Sequence, residues 1–416
     1  MEKACCRWSR RDAVRLAAMG LARAALAGAA GAQAHGAEKR RKLLVISVDG
    51  MDHRYMRDAD TLGLKTPNLR KLTREGAWAA GVVGVVPTVT WPSHSTMLTG
   101  VTPEVHGILN NDLPKEQGGG RYWFRKYLKA VPLYDAARQA GLKTAAVEWP
   151  VTVDAAIDFN IPEVFEKRGA GMDMEAHEKH STPGLMDKIA AMFPSFPQEW
   201  MDDRTRTQAV VYLLKQERPD LILVHLVDHD EEAHATGPFS KRARAKLEYV
   251  DELIGLMMKA LPKDMCVAVV SDHGFERVDR LADPREALRR AGVQGELTVR
   301  GTMAWTADAS VASVLRRHAG EAAFGIGREI PPAEVERIWP PMKGNFLFEP
   351  MEHVQFGKPE PRAVSGSHGY WPLRKDYRAT YALWGPGVKR ETLPEIEMVS
   401  IAGRLASVLG LEFPAK

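Results

Sequence analysis

The chain has 416 residues, 45% hydrophobic and 26% charged, a composition that excludes a disordered, collagenous or coiled-coil protein. That length suits an α/β enzyme with one large core and an inserted lobe. The formal net charge of +4 resides in the first 34 residues (Lys3, Arg7, Arg10, Arg11, Arg15 and Arg23 against Glu2 and Asp12), so the remainder is near neutral and makes no electrostatic case for binding a nucleic-acid polymer.

Residues 1–34 read as an export signal. Ser9-Arg10-Arg11-Asp12 precedes an Ala/Leu/Gly-rich stretch from Ala13 to Gly31, and Ala32-Gln33-Ala34 offers a small-x-small cleavage site. The paired arginines point to a twin-arginine signal and a periplasmic or secreted protein. Arg15 and Arg23 interrupt the apolar run, so stable membrane anchoring is not expected. Cys5 and Cys6 would leave with the signal. Cys266, inside an apolar run, reads as a buried core residue.

Five apolar runs, at 42–48, 143–149, 220–227, 265–271 and 379–384, read as buried parallel strands. Helical patterns alternate with them. Thr66-Pro67 starts one, with Thr as cap and Pro in the first turn; others cover 205–216, 240–261 and 397–409. This alternation predicts an α/β fold with a mostly parallel sheet and helices on both faces. Residues 284–365 break the rhythm with shorter strand-like pieces, a helix near 309–317 and the Pro-rich Ile338–Met342. They read as an inserted smaller α+β lobe roofing the site, with 35–283 and 366–416 forming the catalytic core.

Three strands end in acid-rich turns: Asp49-Gly50, Asp228-His229-Asp230 with His234 following, and Ser271-Asp272-His273-Gly274. Ligands of open α/β sheets bind outside such strand ends. Each piece alone is ordinarily a turn or a satisfied histidine. Together with the distant His368 they offer three Asp and three His, an oxygen–nitrogen set suited to two zinc ions. A nucleophile candidate lies in Pro87-Thr88-Val89-Thr90-Trp91-Pro92-Ser93-His94, ahead of a helix-like stretch through Leu98. A hydroxyl there meets the positive end of a helix dipole and unpaired backbone N–H groups.

The order Val-Asp-Gly, Pro-Thr-x-Thr-aromatic-Pro, His-Gly-Ile-x-x-Asn, Asp-x-x-x-His-x-x-Gly-Pro, Ser-Asp-His-Gly and His-Gly-Tyr resembles the nucleotide pyrophosphatase/phosphodiesterase family over about 42–388. That family belongs to the alkaline phosphatase superfamily. The resemblance implies an alkaline-phosphatase-like fold and an exported hydrolase of small-molecule phosphate esters. Thr90 would be the nucleophile, with Asp49, Asp272 and His273 on the zinc that also holds Thr90, and Asp230, His234 and His368 on the second zinc. It selects Asp230 over Asp228. Asn111 would donate its amide to a phosphoryl oxygen beside the Trp91 backbone N–H, and Asn110 is the competing neighbour. Nucleotide-using members stack the base between an aromatic after the nucleophile and a Tyr before Asp-x-x-x-His; Trp91 and His225 occupy those places here.

Monoester specialists of the superfamily add an Arg clamp, and the nucleophile motif here holds no Arg, although Arg121 or Arg125 could reach in from a loop. Sulfatases need a Cys or Ser nucleophile followed by Pro and Arg, where this chain has Thr90, Pro92 and His94. Diesters are therefore favoured. A phosphonate or phosphomonoester hydrolase is the alternative within the superfamily. A non-catalytic metal- or phosphate-binding protein is the alternative outside it.

Overall fold

The computed structural model describes residues 41–165, 167–168, 171–172, 174–197, 200–360 and 364–413. The export signal expected at 1–34 lies outside them. No helix among the described residues is long and apolar enough to cross a membrane.

The core is an eight-stranded sheet. In chain order its strands are β1 (Lys42–Val48), β2 (Ala77–Ala79), β3 (Thr144–Val147), β4 (Phe159–Ile161), β5 (Leu221–Leu226), β6 (Met265–Val270), β7 (Tyr381–Trp384) and β8 (Glu391–Leu393). Across the sheet the order is β8-β2-β7-β6-β1-β5-β3-β4. The long strands are apolar runs, interrupted by Ser47 in β1 and His225 in β5, because both faces are covered. Alternate residues of β1 serve different layers: Leu44, Ile46 and Val48 enter one core cluster, Leu43 and Val45 the other.

Register positions the site. β1 pairs in parallel with β5 and β6, with Val48 opposite Leu226 and Ser47 opposite Val270. The three strands therefore end level, and Asp49, the turn after Leu226 and Ser271-Asp272-His273 emerge at one edge.

The run 379–384 departs from the parallel expectation. β7 pairs antiparallel with both β6 and β2. The chain re-enters the sheet at its ligand-bearing edge, where Ser271 N–H donates to Thr380 O at 3.0 Å, so it must run back down. Apolar content cannot report direction. The three-residue strands β2, β4 and β8 were too short to register as periodic runs.

The predicted helices appear at Pro67–Glu75, Asp203–Tyr212, Lys241–Lys259 and Ile401–Val408. Ser240 caps the third, accepting from Ala243 N–H at 3.1 Å. Thr66 does not cap the first through its side chain. Asp251 of the neighbouring helix accepts Leu69 N–H at 2.7 Å and Asn68 N–H at 3.1 Å instead. The cap comes from a residue distant in sequence, which local reading cannot see.

Between β6 and β7 lies a separate antiparallel sheet, in the order Thr298–Arg300, Met303–Thr306, Phe346–Pro350, Ile326–Ile330. Helices Arg285–Ala291 and Ala309–Arg317 share its own apolar cluster, which includes Leu288, Val311, Leu315 and Phe348. A second cluster joins Met303, Ile330 and Leu347 to Val86 and Trp371, and Thr302 Oγ1 donates to Gly369 O at 2.6 Å. This sheet thus touches both the loop before Thr90 and the loop carrying His368.

Candidate metal centre

The level strand ends gather Asp49, Asp272 and His273 into one buried group, their ligand atoms within 4.8 Å of one another. His273 Nε2 lies 3.3 Å from Asp49 Oδ1 and 3.2 Å from Asp272 Oδ2. Gly50 makes the approach feasible: it has φ +64°, and a Cβ there would fall 2.8 Å from Phe275 ring carbons and 3.0 Å from Asp230 Oδ1.

A second group, Asp230, His234 and His368, lies alongside. The helix Asp228–Thr236 begins directly after β5, so Asp230 and His234 share one face a turn apart, with Nε2 3.4 Å from Oδ2. His368 arrives by another route. Strand Ser365–Ser367 pairs antiparallel with Glu276–Val278, Ser367 opposite Glu276, which returns His368 to the neighbourhood of His273.

All three histidines are oriented alike. His234 Nδ1 donates to Gly366 O at 3.0 Å, His368 Nδ1 to Thr88 O at 3.2 Å and His273 Nδ1 to Gly274 O at 3.2 Å. A carbonyl can only accept, so Nδ1 carries the proton and Nε2 is left for the centre, the arrangement of metal-ligating imidazoles. Asp49 Oδ1, Asp272 Oδ2, His273 Nε2 and Asp230 Oδ1 are buried without hydrogen-bond partners. Orphaned buried oxygens and nitrogens are costly unless something binds them. These residues fit divalent cations.

The electrostatics agree. Burial opposes ionisation of Asp49, yet the hydrogen bond from His225 and the nearby charges of His225 and His273 hold its carboxyl well below the usual range. Burial, reinforced by the Asp49 charge, pushes Asp230 and Asp272 well above it. Burial disfavours the His273 imidazolium, but Asp272 and Asp49 outweigh it and raise the ring to about 9. Burial lowers His234 and His368. Three carboxylates thus crowd one site that cannot ionise fully without added positive charge.

Thr90 opens the helix Thr90–Thr99, at the end of an extended segment through Val89. His94 Nδ1 donates to Thr90 O at 2.7 Å, and its Nε2 faces Ser47 Oγ at 2.8 Å, which ties this first turn to β1. Asn111 Oδ1 accepts the Trp91 N–H at 2.9 Å. That N–H is therefore engaged rather than free beside Asn111 as expected, and the same bond leaves Asn111 Nδ2 as the available donor. Asn110 Oδ1 accepts Asn111 N–H at 2.9 Å and supports the turn.

Trp91 and His225 do not form an open stacking pair. Trp91 is 2% exposed, packed with Ile108, Leu113, Tyr122, Leu128 and Val151, because the helix turns it inward one residue after Thr90. His225 lies on β5, wholly buried, with Nε2 3.0 Å from Asp49 Oδ2. A strand-interior position cannot offer a ring face to a base. Asp228 is held by Asp203 N–H at 3.3 Å and Lys246 Nζ at 3.3 Å, outside both groups. Arg125 is spent on Leu128 O and Asp135, while the Arg121 guanidinium covers the Trp91 ring at 5.8 Å. Sequence reading missed Glu163, which accepts from Trp91 Nε1 at 2.8 Å, and Arg206, which donates to His225 O at 2.8 Å. Neither sits in a motif.

Two carboxylate–imidazole groups thus lie at the strand ends of an open α/β sheet, where ligands of such folds bind, beside a helix that starts on a hydroxyl. The profile of the type I phosphodiesterase / nucleotide pyrophosphatase family matches residues 43–342, and the chain belongs to that family. It is 22% identical to rat ectonucleotide pyrophosphatase/phosphodiesterase family member 3 over 405 residues, covering 89% of this chain and 42% of the relative. It is 26% identical to human family member 1 over 246 residues, covering 56% of this chain and 23% of the relative. The chain thus spans less than half the length of these relatives. Murine ectonucleotide pyrophosphatase/phosphodiesterase 5 shares the fold with a TM-score of 0.62 at 20% identity, over 90% of this chain and 96% of that one. An inactive threonine-to-alanine variant of the murine protein, in complex with AMP, superposes with a TM-score of 0.61, 20% identity and the same coverage.

Proposed function

We propose that this chain is an exported two-zinc phosphodiesterase/nucleotide pyrophosphatase that hydrolyses phosphate esters through a phosphothreonine on Thr90. One observation carries the reading: two Asp/His groups with orphaned oxygens converge at the sheet edge and reach the turn that opens the Thr90 helix, His368 Nδ1 donating to Thr88 O at 3.2 Å and His94 Nδ1 lying 3.8 Å from Asp272 Oδ2. Asp49, Asp272 and His273 would hold one ion with Thr90, and Asp230, His234 and His368 the other. Bound there, zinc supplies Lewis acidity to the phosphoryl oxygens and favours the ionised Thr90 hydroxyl.

Thr90 Oγ attacks phosphorus in line, and the bond to the leaving oxygen breaks as the new one forms. Water then opens the phosphothreonine and returns the hydroxyl. Asn111, anchored through Oδ1, directs Nδ2 at a developing phosphoryl charge, and the start of the Thr90–Thr99 helix adds the positive end of its dipole. The inactivity of the murine threonine-to-alanine variant supports a threonine in this role. Residues 284–365 serve as a cap lobe over the site, supported by contacts of their sheet with Val86, Trp371 and Gly369. The arginine-paired segment at 1–34 supports export.

The test is steady-state hydrolysis by the zinc-loaded protein of bis-p-nitrophenyl phosphate, a p-nitrophenyl nucleotide, a phosphonate monoester, p-nitrophenyl phosphate and p-nitrophenyl sulfate, with T90A as control. Diester or nucleotide turnover lost in T90A is expected. Preference for the monoester or phosphonate moves the chain to a sister activity, and the absence of metal-dependent turnover on all five overturns the reading.

A further inference from the structure

His225 falls outside both ligand groups, yet one end of its ring faces a metal-ligand candidate. Nε2 lies 3.0 Å from Asp49 Oδ2. A carboxylate oxygen can only accept, so Nε2 carries the proton and donates. The bond occupies Oδ2 and leaves the orphaned Oδ1 as the atom facing His273. The other end of the ring faces a second acid: Nδ1 is 3.8 Å from Glu163 Oε1, and Glu163 Oε2 accepts the Trp91 indole N–H at 2.8 Å. Arg206 fixes the backbone beneath, donating to His225 O at 2.8 Å and lying 3.5 Å from Glu148 Oε2. The His94 ring sits 4.4 Å from the His225 ring and ties back to Thr90 O. Every one of these side chains is buried.

We infer that His225 is a positioning residue: it selects which oxygen of Asp49 faces the metal and, packed against the His94 ring that ties to Thr90 O, holds that ligand in register with the turn that carries Thr90. The inference rests on the metal reading of the Asp49 group. Partners of this kind orient ligands and tune affinity without touching the ion, and losing one typically weakens binding 10–100-fold. The wholly buried ring is built into the protein under the site, so its effect falls on the metal and the nucleophile rather than on the leaving group.

Two variants separate this role from simple packing. Gln at 225 is long enough to place an amide N–H on Asp49 Oδ2, while Asn is too short. Zinc binding to the full chain is measured by competition with a chromogenic chelator, with D49N marking which of two sites belongs to Asp49 and circular dichroism melts reporting folding. H225N is expected to weaken the Asp49 site about 10–100-fold and spare the other, with H225Q within about 3-fold of wild type. Equal binding by wild type, H225N and H225Q, or equal weakening of both sites in both variants, overturns the inference while leaving the functional reading intact. A wild-type protein that binds no zinc overturns the functional reading and this inference with it.

Discussion

The rings of His273 and His368 stack face to face, centroids 3.7 Å apart and planes 7° from parallel. One ring comes from each candidate ligand group, so the two groups share a wall. His368→Ala removes a candidate ligand from one group and a packing partner from the other. It should lower zinc stoichiometry from two to one per chain, by elemental analysis after dialysis, and weaken the remaining site several-fold. Retention of two ions would separate His368 from metal binding.

Metal removal should reduce stability. The orphaned oxygens and crowded carboxylates mean that a bound cation relieves unfavourable charge in the folded state only. A ligand at 100 times its dissociation constant adds about 2.7 kcal/mol. Thermal melts with zinc should therefore exceed those with chelator by several degrees, and coincident melts would contradict this.

Asn111 offers a sharper test than truncation alone. Its Oδ1 is fixed by the Trp91 N–H, so Asn111→Asp keeps that acceptor and replaces the donor with a carboxylate oxygen, while Asn111→Ala removes both. Turnover should fall on the order of 10²–10³-fold in both Asn111→Asp and Asn111→Ala, as for other transition-state donors. A full-rate Asn111→Asp enzyme would show that Nδ2 donates nothing to the reaction.

Burial, with smaller contributions from Glu148 and Asp49 against Arg206, raises Glu163 from 4.5 to about 8. The folded state keeps a proton that the unfolded chain releases between those values. The stability tied to that proton is full below about pH 4.5 and lost as pH rises through 8. Glu163→Gln still accepts from Trp91 but cannot ionise, so it should gain on wild type as pH rises from 5 to 8 in chelator-treated melts. Parallel melting curves across that range would contradict the shift.

The Asp251 carboxylate caps a helix from which it is 182 residues distant, through Leu69 N–H and Asn68 N–H. Asp251→Ala leaves both donors unsatisfied in a buried place and should cost about 2–3 kcal/mol in denaturant unfolding. A loss under about 0.5 kcal/mol would mean that other groups satisfy those N–H donors.

Much of the candidate centre was legible because its residues sit at strand ends. Asp49, Asp230, Asp272 and His273 each follow a long apolar run, and level register of β1, β5 and β6 is the ordinary consequence of parallel pairing. His368 could be placed only by family pattern, since its position depends on the short pairing of Ser365–Ser367 with Glu276–Val278. Trp91 and His225 were misread because alternation along a strand and rotation about a helix decide which rings face inward. Glu163 and Arg206 were invisible because a lone buried charge carries no periodic signal. The direction of β7 was likewise silent in its composition.

The most direct measurement is rapid-quench mass spectrometry of the zinc-loaded protein during turnover of a p-nitrophenyl nucleotide. The peptide bearing Thr90 should gain one nucleotidyl phosphate ester within the first turnover, and T90A should show neither adduct nor turnover. Undiminished hydrolysis by T90A, or a phosphoryl adduct on another side chain, would contradict the assignment of Thr90 as the nucleophile.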